Sequence, residues 1–118
     1  AYRGVMVPNF PNFYICYGPN TNTGHVSIIY MIESQIMYIM KCLGFMKSKR
    51  LNYLDVKNSA MKSYNEKLQK KLSETVWASN CGSWYKTKEG KIINNYPGYG
   101  TEYYFMMSRP DYNELKTE

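Results

Sequence analysis

The chain has 118 residues, 44% of them hydrophobic, and a formal net charge of +6. That length admits at most one small domain, and the apolar content excludes intrinsic disorder. The basic balance permits phosphate-bearing partners or a plain solvated face, while 13 Tyr and 8 Met against 9 acidic residues point to surfaces that meet something large.

In chain order, Val5 to Phe13 holds two prolines and two asparagines and reads as an extended loop. Asn12 to Tyr17, "NFYICY", is an aromatic and β-branched run bounded by Gly18-Pro19, which predicts a short buried strand. From His25 the period becomes helical. Ile28, Ile29, Ile32, Ile36, Ile39, Met40 and Leu43 share one face, with Glu33, Ser34 and Lys41 opposite, which predicts a helix from His25 to Leu43 ending at Gly44. Its interruptions argue against a membrane span, which needs roughly 20 apolar residues.

Leu51 to Val56 reads as a short strand. Asn58 or Ser59 is the expected cap of a second helix, whose stripe Met61, Tyr64, Leu68, Leu72 and Val76 carries it to Trp77. Beyond Trp77 the glycines and Pro97 predict loosely extended pieces, with a turn at Lys88-Glu89-Gly90. Glu102 to Met107 reads as a strand, and the polar tail from Ser108 is expected to fray. One strand cannot make a sheet, so the piece is expected to complete a sheet belonging to a longer chain. The opening residues, Ala-Tyr-Arg-Gly, read as mid-sequence in the same way.

Chemistry-bearing residues are few. Cys16, Cys42 and Cys81 lie far apart with no C-x-x-C, which argues against zinc and fits free thiols in a reducing, cytoplasmic compartment. Cys16 and Cys42 sit in apolar runs and are expected in the core. No metal site and no catalytic pair of carboxylates is expected. The stretch Gly18 to Ser27 passes from a strand through a glycine-containing loop into a helix. A helix start offers free N–H groups and partial positive charge, suited to a phosphate, a carboxylate or an anionic ring edge. His25 stands at that junction either facing a ligand or packing locally. Neither a Walker A loop nor a Rossmann fingerprint is present. Gly98-Tyr99-Gly100 lacks the third glycine and is expected to precede a strand. Trp84 and Tyr85 beside Lys86, Lys88 and Lys91 form either a stacking platform for a ring or an aromatic loop docked on its own core.

Together these stretches resemble a family. "VPNFPNFYICYGPNTNTGHVSIIYMIESQIMYIMKCL", "TVWASNCGSWY" and "NNYPGYGTEYY" are similar, in order, to the C-terminal region of flavin-dependent monooxygenases of the Baeyer–Villiger and flavin-containing type. The resemblance implies an α/β fold with two dinucleotide-binding domains. This chain would supply the closing part of the FAD-binding Rossmann-like domain: last strand and flavin-facing helix in 1–50, second helix and mobile aromatic hairpin in 51–118. It implies FAD and NADPH as cofactors, with the absent N-terminal FAD and NADPH domains, O2 and a small organic substrate as partners. The implied chemistry is transfer of one oxygen atom, through a peroxyflavin, into a ketone or onto sulfur or nitrogen. By match, Asn20, Thr21, His25, Val26, Ser27 and Ile28 line the flavin. Trp84 closes over the nicotinamide cofactor, with Lys86 or Lys88 near its phosphates. Val26, Gly82 and Tyr96 depart from the residues common at their positions, and the glycine-rich fingerprints of the nucleotide domains are absent. The alternative class is a non-enzymatic, basic, aromatic nucleic-acid-binding module built on Trp84, Tyr85 and the nearby lysines.

Overall fold

A computed structural model describes residues 1–79, 84 and 86–118. Helix α1 spans Ile28–Lys49, strand β1 Leu54–Val56, helix α2 Asn58–Ser73, helix α3 Gly100–Ser108 and strand β2 Leu115–Thr117, with single 3-10 turns at Val76–Ala78 and Tyr112–Glu114. α3 packs along α1. The molecule is 49 × 27 × 18 Å. Its smallest dimension is less than two helix diameters of about 10–12 Å, so a helix here is covered on one side only.

The expected strand at Asn12–Tyr17 does not form. Asn12 and Tyr17 both have positive φ and bracket the run. What pairing exists is a single bridge, Met6 to Tyr14, and the bond from the Ile15 amide to the Val5 carbonyl at 2.8 Å. The sheet that does form is β1 against β2, antiparallel, with Leu54 opposite Thr117 and Val56 opposite Leu115. The tail from Ser108 therefore does not fray: Leu115 is buried and closes the core over β1. Leu54 N–H donates to the Asn12 side chain at 3.0 Å, and Asn12 N–H donates to the Leu54 carbonyl at 2.9 Å, so the N-terminal loop lines the other edge of β1.

α1 departs from its expected limits at both ends. The Thr23 hydroxyl donates to the Val26 carbonyl at 2.8 Å and accepts from the Val26 amide at 3.3 Å, holding residues 23–26 in a turn. The helix then begins at Ile28. Gly44 does not end it, although a mid-helix glycine costs about 1 kcal/mol. Phe45 stacks on Tyr112 with ring centroids 3.9 Å apart, and this packing carries the helix on to Arg50, whose left-handed conformation caps it.

The larger correction concerns which face of α1 is inside. Met31, Ser34, Gln35, Tyr38 and Cys42 are buried, whereas Ile29, Ile36, Met40 and Leu43 are exposed, Ile29 by 69% and Met40 by 60%. The core is closed instead by a polar relay. Tyr17 N–H donates to Gln35 Oε1 at 2.7 Å, Gln35 Nε2 donates to the Tyr103 hydroxyl at 3.0 Å, and that hydroxyl donates to the Arg3 carbonyl at 2.8 Å. At 22 residues α1 is long and apolar enough, by length and composition alone, to cross a membrane. Its buried Met31, Ser34, Gln35, Tyr38 and Cys42 put one face of it in the core of this fold.

Three further expectations change. α2 starts with Lys57 in the cap position and no side-chain cap bond, so neither Asn58 nor Ser59 caps it. It stops at Ser73, where the Thr75 hydroxyl takes the Leu72 carbonyl at 2.6 Å, and Val76 is left exposed. Glu102–Met107 is helical, within α3. Tyr103 and Met107 are buried four residues apart, and the Glu102 carboxylate accepts from the Tyr99 amide at 3.1 Å. Cys42 is buried, and desolvation pushes its thiol up to about 11, but Cys16 is exposed. Lys88-Glu89-Gly90 does form a turn, closed by Gly90 N–H to the Thr87 carbonyl at 2.9 Å.

Tyr103→Phe removes both a donor to Arg3 and the acceptor for Gln35. It should cost about 1–3 kcal/mol in urea unfolding, whereas Tyr104→Phe on the outer side of the same helix should cost under about 0.5 kcal/mol.

Candidate functional site

The loop ahead of α1 is laced to the segment ahead of α3. Asn20 N–H donates to the Ile93 carbonyl at 3.0 Å, Asn22 N–H to Asn94 at 3.0 Å, and Tyr96 N–H to Asn22 at 2.8 Å. The Asn20 side chain donates to the Ile92 and Asn95 carbonyls at 2.9 and 3.1 Å. Asn20 can do this because it sits at φ 58°, a left-handed conformation that asparagine tolerates. The Thr21 hydroxyl donates to the Gly18 carbonyl at 2.7 Å. Asn20 and Thr21 are thus buried, and their side chains are spent on the loop itself.

This lacing brings two helix starts together. Gly100 opens α3 against Val26. A Cβ at Gly100 would lie 2.8 and 2.9 Å from the two Val26 methyl carbons, so only glycine permits this approach. Between the two starts lies an open cleft of about 530 Å³ lined by His25, Val26, Ser27 and Tyr30 from one side and Tyr99, Gly100 and Thr101 from the other. His25 is exposed and meets the Tyr99 ring edge-on, centroids 6.1 Å apart.

Ser27 occupies the cap position of α1, yet its side chain makes no capping bond, and the first turn contains no acidic residue. Among the described residues the Ile28, Ile29 and Tyr30 amides find no acceptor, the first helical bond being Met31 N–H to the Ser27 carbonyl at 3.2 Å. The start of α1 is therefore a set of unsatisfied donors at the positive end of a 22-residue helix dipole. Such an arrangement receives negative charge without any cationic side chain. The start of α3 differs, since its first turn carries the Glu102 carboxylate, which accepts from the Tyr99 amide and supplies negative charge there.

Of the residues expected to face a cofactor, the structure gathers His25, Val26 and Ser27 at the cleft, and Ile28 begins the helix beside them. Asn20 and Thr21 lie behind it. Trp84 is 79% exposed and does not line the cleft. Lys86 donates its ammonium to the Ser79 carbonyl, and Lys88 is exposed. Tyr85, with Cys81 to Ser83 of the same stretch, lies outside the described residues. Sequence reasoning missed Tyr30, Tyr99, Gly100 and Thr101. The signal was present in Gly98-Tyr99-Gly100, which precedes a helix and not a strand.

No family model matches the chain. It is 44% identical over 101 residues to a "Baeyer-Villiger monooxygenase" of Pseudomonas aeruginosa, a match covering 84% of this chain and 19% of that protein. It is 44% identical over 102 residues to the "FAD-binding monooxygenase ktnD" of Aspergillus niger, covering 82% of this chain and 17% of that protein. Among solved structures, a steroid monooxygenase bound to NADP superposes with a TM-score of 0.86 at 15% identity, over 99% of this chain and 23% of that one. The OTEMO complex with FAD and NADP superposes at 0.81 and 20% identity, over 100% of this chain and 22% of that one. The chain thus spans about a fifth of the length of the curated relatives it matches.

Gly100→Ala should lose about 1–3 kcal/mol in urea unfolding by forcing α3 off Val26, despite the better helix propensity of alanine. Val26→Ala in the same background should restore part of that loss, and a double-mutant cycle reads the coupling. By sequence over most of its length and by fold over all of it, this chain belongs to the flavin-dependent monooxygenases of the Baeyer–Villiger type, whose C-terminal region it matches.

Proposed function

We propose that the chain forms the C-terminal part of a cytoplasmic FAD- and NADPH-dependent monooxygenase that transfers one oxygen atom from O2 into a ketone or onto a sulfur or nitrogen substrate. The observation that carries this reading is the uncapped start of α1, free of acidic residues and opening on the cleft. It fits the negatively charged edge of a reduced flavin ring. When bound, the flavin supplies the oxygen-activating chemistry. The chain's own part is binding and orientation. The Ile28, Ile29 and Tyr30 amides offer donors to the negative edge, Val26 and Ser27 line the approach, and His25 and Tyr99 form the rim of the cleft. Asn20 and Thr21 act from behind by fixing the loop. Trp84, by its exposure, is suited to cover the nicotinamide cofactor.

The outward stripe Ile29, Ile36, Met40 and Leu43 supports the same reading. A row of large apolar residues along an exposed helix face marks an interface, and the matched relatives are about five times longer than this chain. The N-terminal FAD and NADPH domains of such a protein are its proposed cover.

Two measurements test this on the complete flavoprotein. Ser27→Asp caps α1 better but puts negative charge where reduced flavin needs none. The melting temperature should rise while the flavin two-electron midpoint potential falls by about 6–20 mV, the equivalent of ~0.3–1 kcal/mol. A higher melting temperature with an unchanged or raised potential would refute the placement. Ile36→Gln should shift the unfolding of the 118-residue chain by under about 0.5 kcal/mol but cost the complete protein about 1–3 kcal/mol. Equal effects in both would remove the stripe from the interface.

A further inference from the structure

Over residues 1–20 the backbone enters the left-handed region at Arg3, Gly4, Asn9, Asn12, Tyr17 and Asn20. Glycine and asparagine do so at low cost, so Gly4, Asn9, Asn12 and Asn20 need no further account. Arg3 is held there by the partners of its buried guanidinium. Tyr17 remains. It is a bulky residue at φ 56°, a conformation that strains its backbone. The glycine next to it answers a different demand, because a Cβ at Gly18 would run into the Gly4 carbonyl oxygen.

Strain of this kind persists only where the surroundings over-determine it, and it gathers at functional sites. Two bonds hold Tyr17. Its amide donates to Gln35 Oε1 at 2.7 Å, and its hydroxyl donates to Asn22 Oδ1 at 2.8 Å. The first bond ties it to the inner face of α1. The second closes the loop over Gly18, Pro19, Asn20 and Thr21 as a clasp. Asn22 is paired in turn, through its backbone, with Asn94 and Tyr96 on the way to α3. Tyr17 thus braces α1 against the segment that leads into α3, and those are the two sides of the cleft. A glycine or asparagine at this position would keep the amide bond without the strain but would offer no phenol to Asn22. The clasp is what a tyrosine adds here.

We propose that Tyr17 is a positioning residue of the cleft, holding the loop ahead of α1 in the one arrangement that presents the Ile28, Ile29 and Tyr30 amides to an anionic ring edge. The proposal rests on the flavin-binding reading of the cleft. Tyr17 does not line the cleft and acts through the loop. Without the clasp the loop spreads over several arrangements, and the apparent affinity for FAD falls with the fraction still in the competent one. Reduced flavin loses more than oxidised flavin, because its negative edge depends on the aim of the amides.

The test uses the complete flavoprotein and reads three quantities: the FAD dissociation constant, the flavin midpoint potential, and the melting temperature of the FAD-free form. Tyr17→Phe keeps the ring and removes only the hydroxyl. It should weaken FAD binding about two- to tenfold and lower the midpoint potential, while the melting temperature holds within about 2 °C. Asn22→Ala should weaken FAD to a similar degree, and the double change should cost no more than the larger single loss. A residue that served the fold alone would show the reverse, a lower melting temperature with affinity and potential unmoved. Unchanged affinity in Tyr17→Phe, an unchanged potential, or losses at Tyr17 and Asn22 that simply add would each overturn the proposal. A parent protein that binds no FAD would sink the reading of the cleft and this proposal with it, whereas variants that match an FAD-binding parent sink the proposal alone.

Discussion

Arg3 is where the two ends of this chain are joined. Its guanidinium is buried and donates to the Met106 carbonyl at 2.6 Å, which also takes the Arg109 amide at 3.4 Å, and to the Arg109 carbonyl at 3.2 Å, just beyond the end of α3. It lies 5.1 Å from the Tyr2 ring centre and 5.6 Å from that of Tyr38, and 3.7 Å from the Glu114 carboxylate. The Arg3 carbonyl takes the Tyr103 hydroxyl. One residue thus ties the N-terminal loop to α1, to α3 and to the turn that leads into β2. A buried charge is tolerated only with this many partners. Hydrogen bonds to charged groups are worth about 1.5–3 kcal/mol each, while the desolvation of the guanidinium offsets much of that. The gain is mainly one of geometry, since the loop in front of α1 cannot shift without breaking the end of α3.

That constraint explains why α1 lies as it does. With Arg3 and Tyr103 fixed, the helix face that meets them needs a group able to donate and accept together, and Gln35 does both. Ser34 fits beside it because its hydroxyl returns to the Tyr30 carbonyl at 2.9 Å. Hydrophobic periodicity found the body of α1, missed both of its ends and assigned its inner face wrongly. The rule that the apolar stripe is the core holds for a helix buried on one side within a self-contained domain. Here the more apolar side is the outer one, and the inner side is held by tyrosine and amide chemistry that hydropathy does not register.

The same distinction decides which other parts were legible. β1 and the body of α2 were readable because Leu54, Val56, Leu68 and Leu72 are ordinary core residues on one face. α3 was not. Tyr103-Tyr104-Phe105 carries strand propensity, and tertiary contacts override it: Tyr103 pairs with Gln35 and the Arg3 carbonyl, Met107 is buried, and Arg3 holds the Met106 carbonyl. β2 was hidden in a polar tail because a three-residue strand paired to β1 needs just one buried side chain, Leu115. At the site, the accumulation of Gly, Pro, Asn and Thr before α1 correctly marked a built loop. Which of its residues face outward was not readable, since Asn20 and Thr21 differ from His25 and Ser27 only in where their partners lie.

Charge separates the two functional classes that composition left open. A nucleic-acid surface needs cations converging on one groove. Among the described residues, Lys47 and Lys49 sit at the end of α1, where they complement its dipole, Lys86 is engaged with the Ser79 carbonyl, and no Lys or Arg lines the cleft. The positive field at the cleft comes from backbone amides of a helix start, fixed in direction and independent of pH. A source of that kind suits a single planar anionic edge held at one distance. It does not suit a polyphosphate strand that slides along a basic groove, and it needs no side chain that competes for the negative charge.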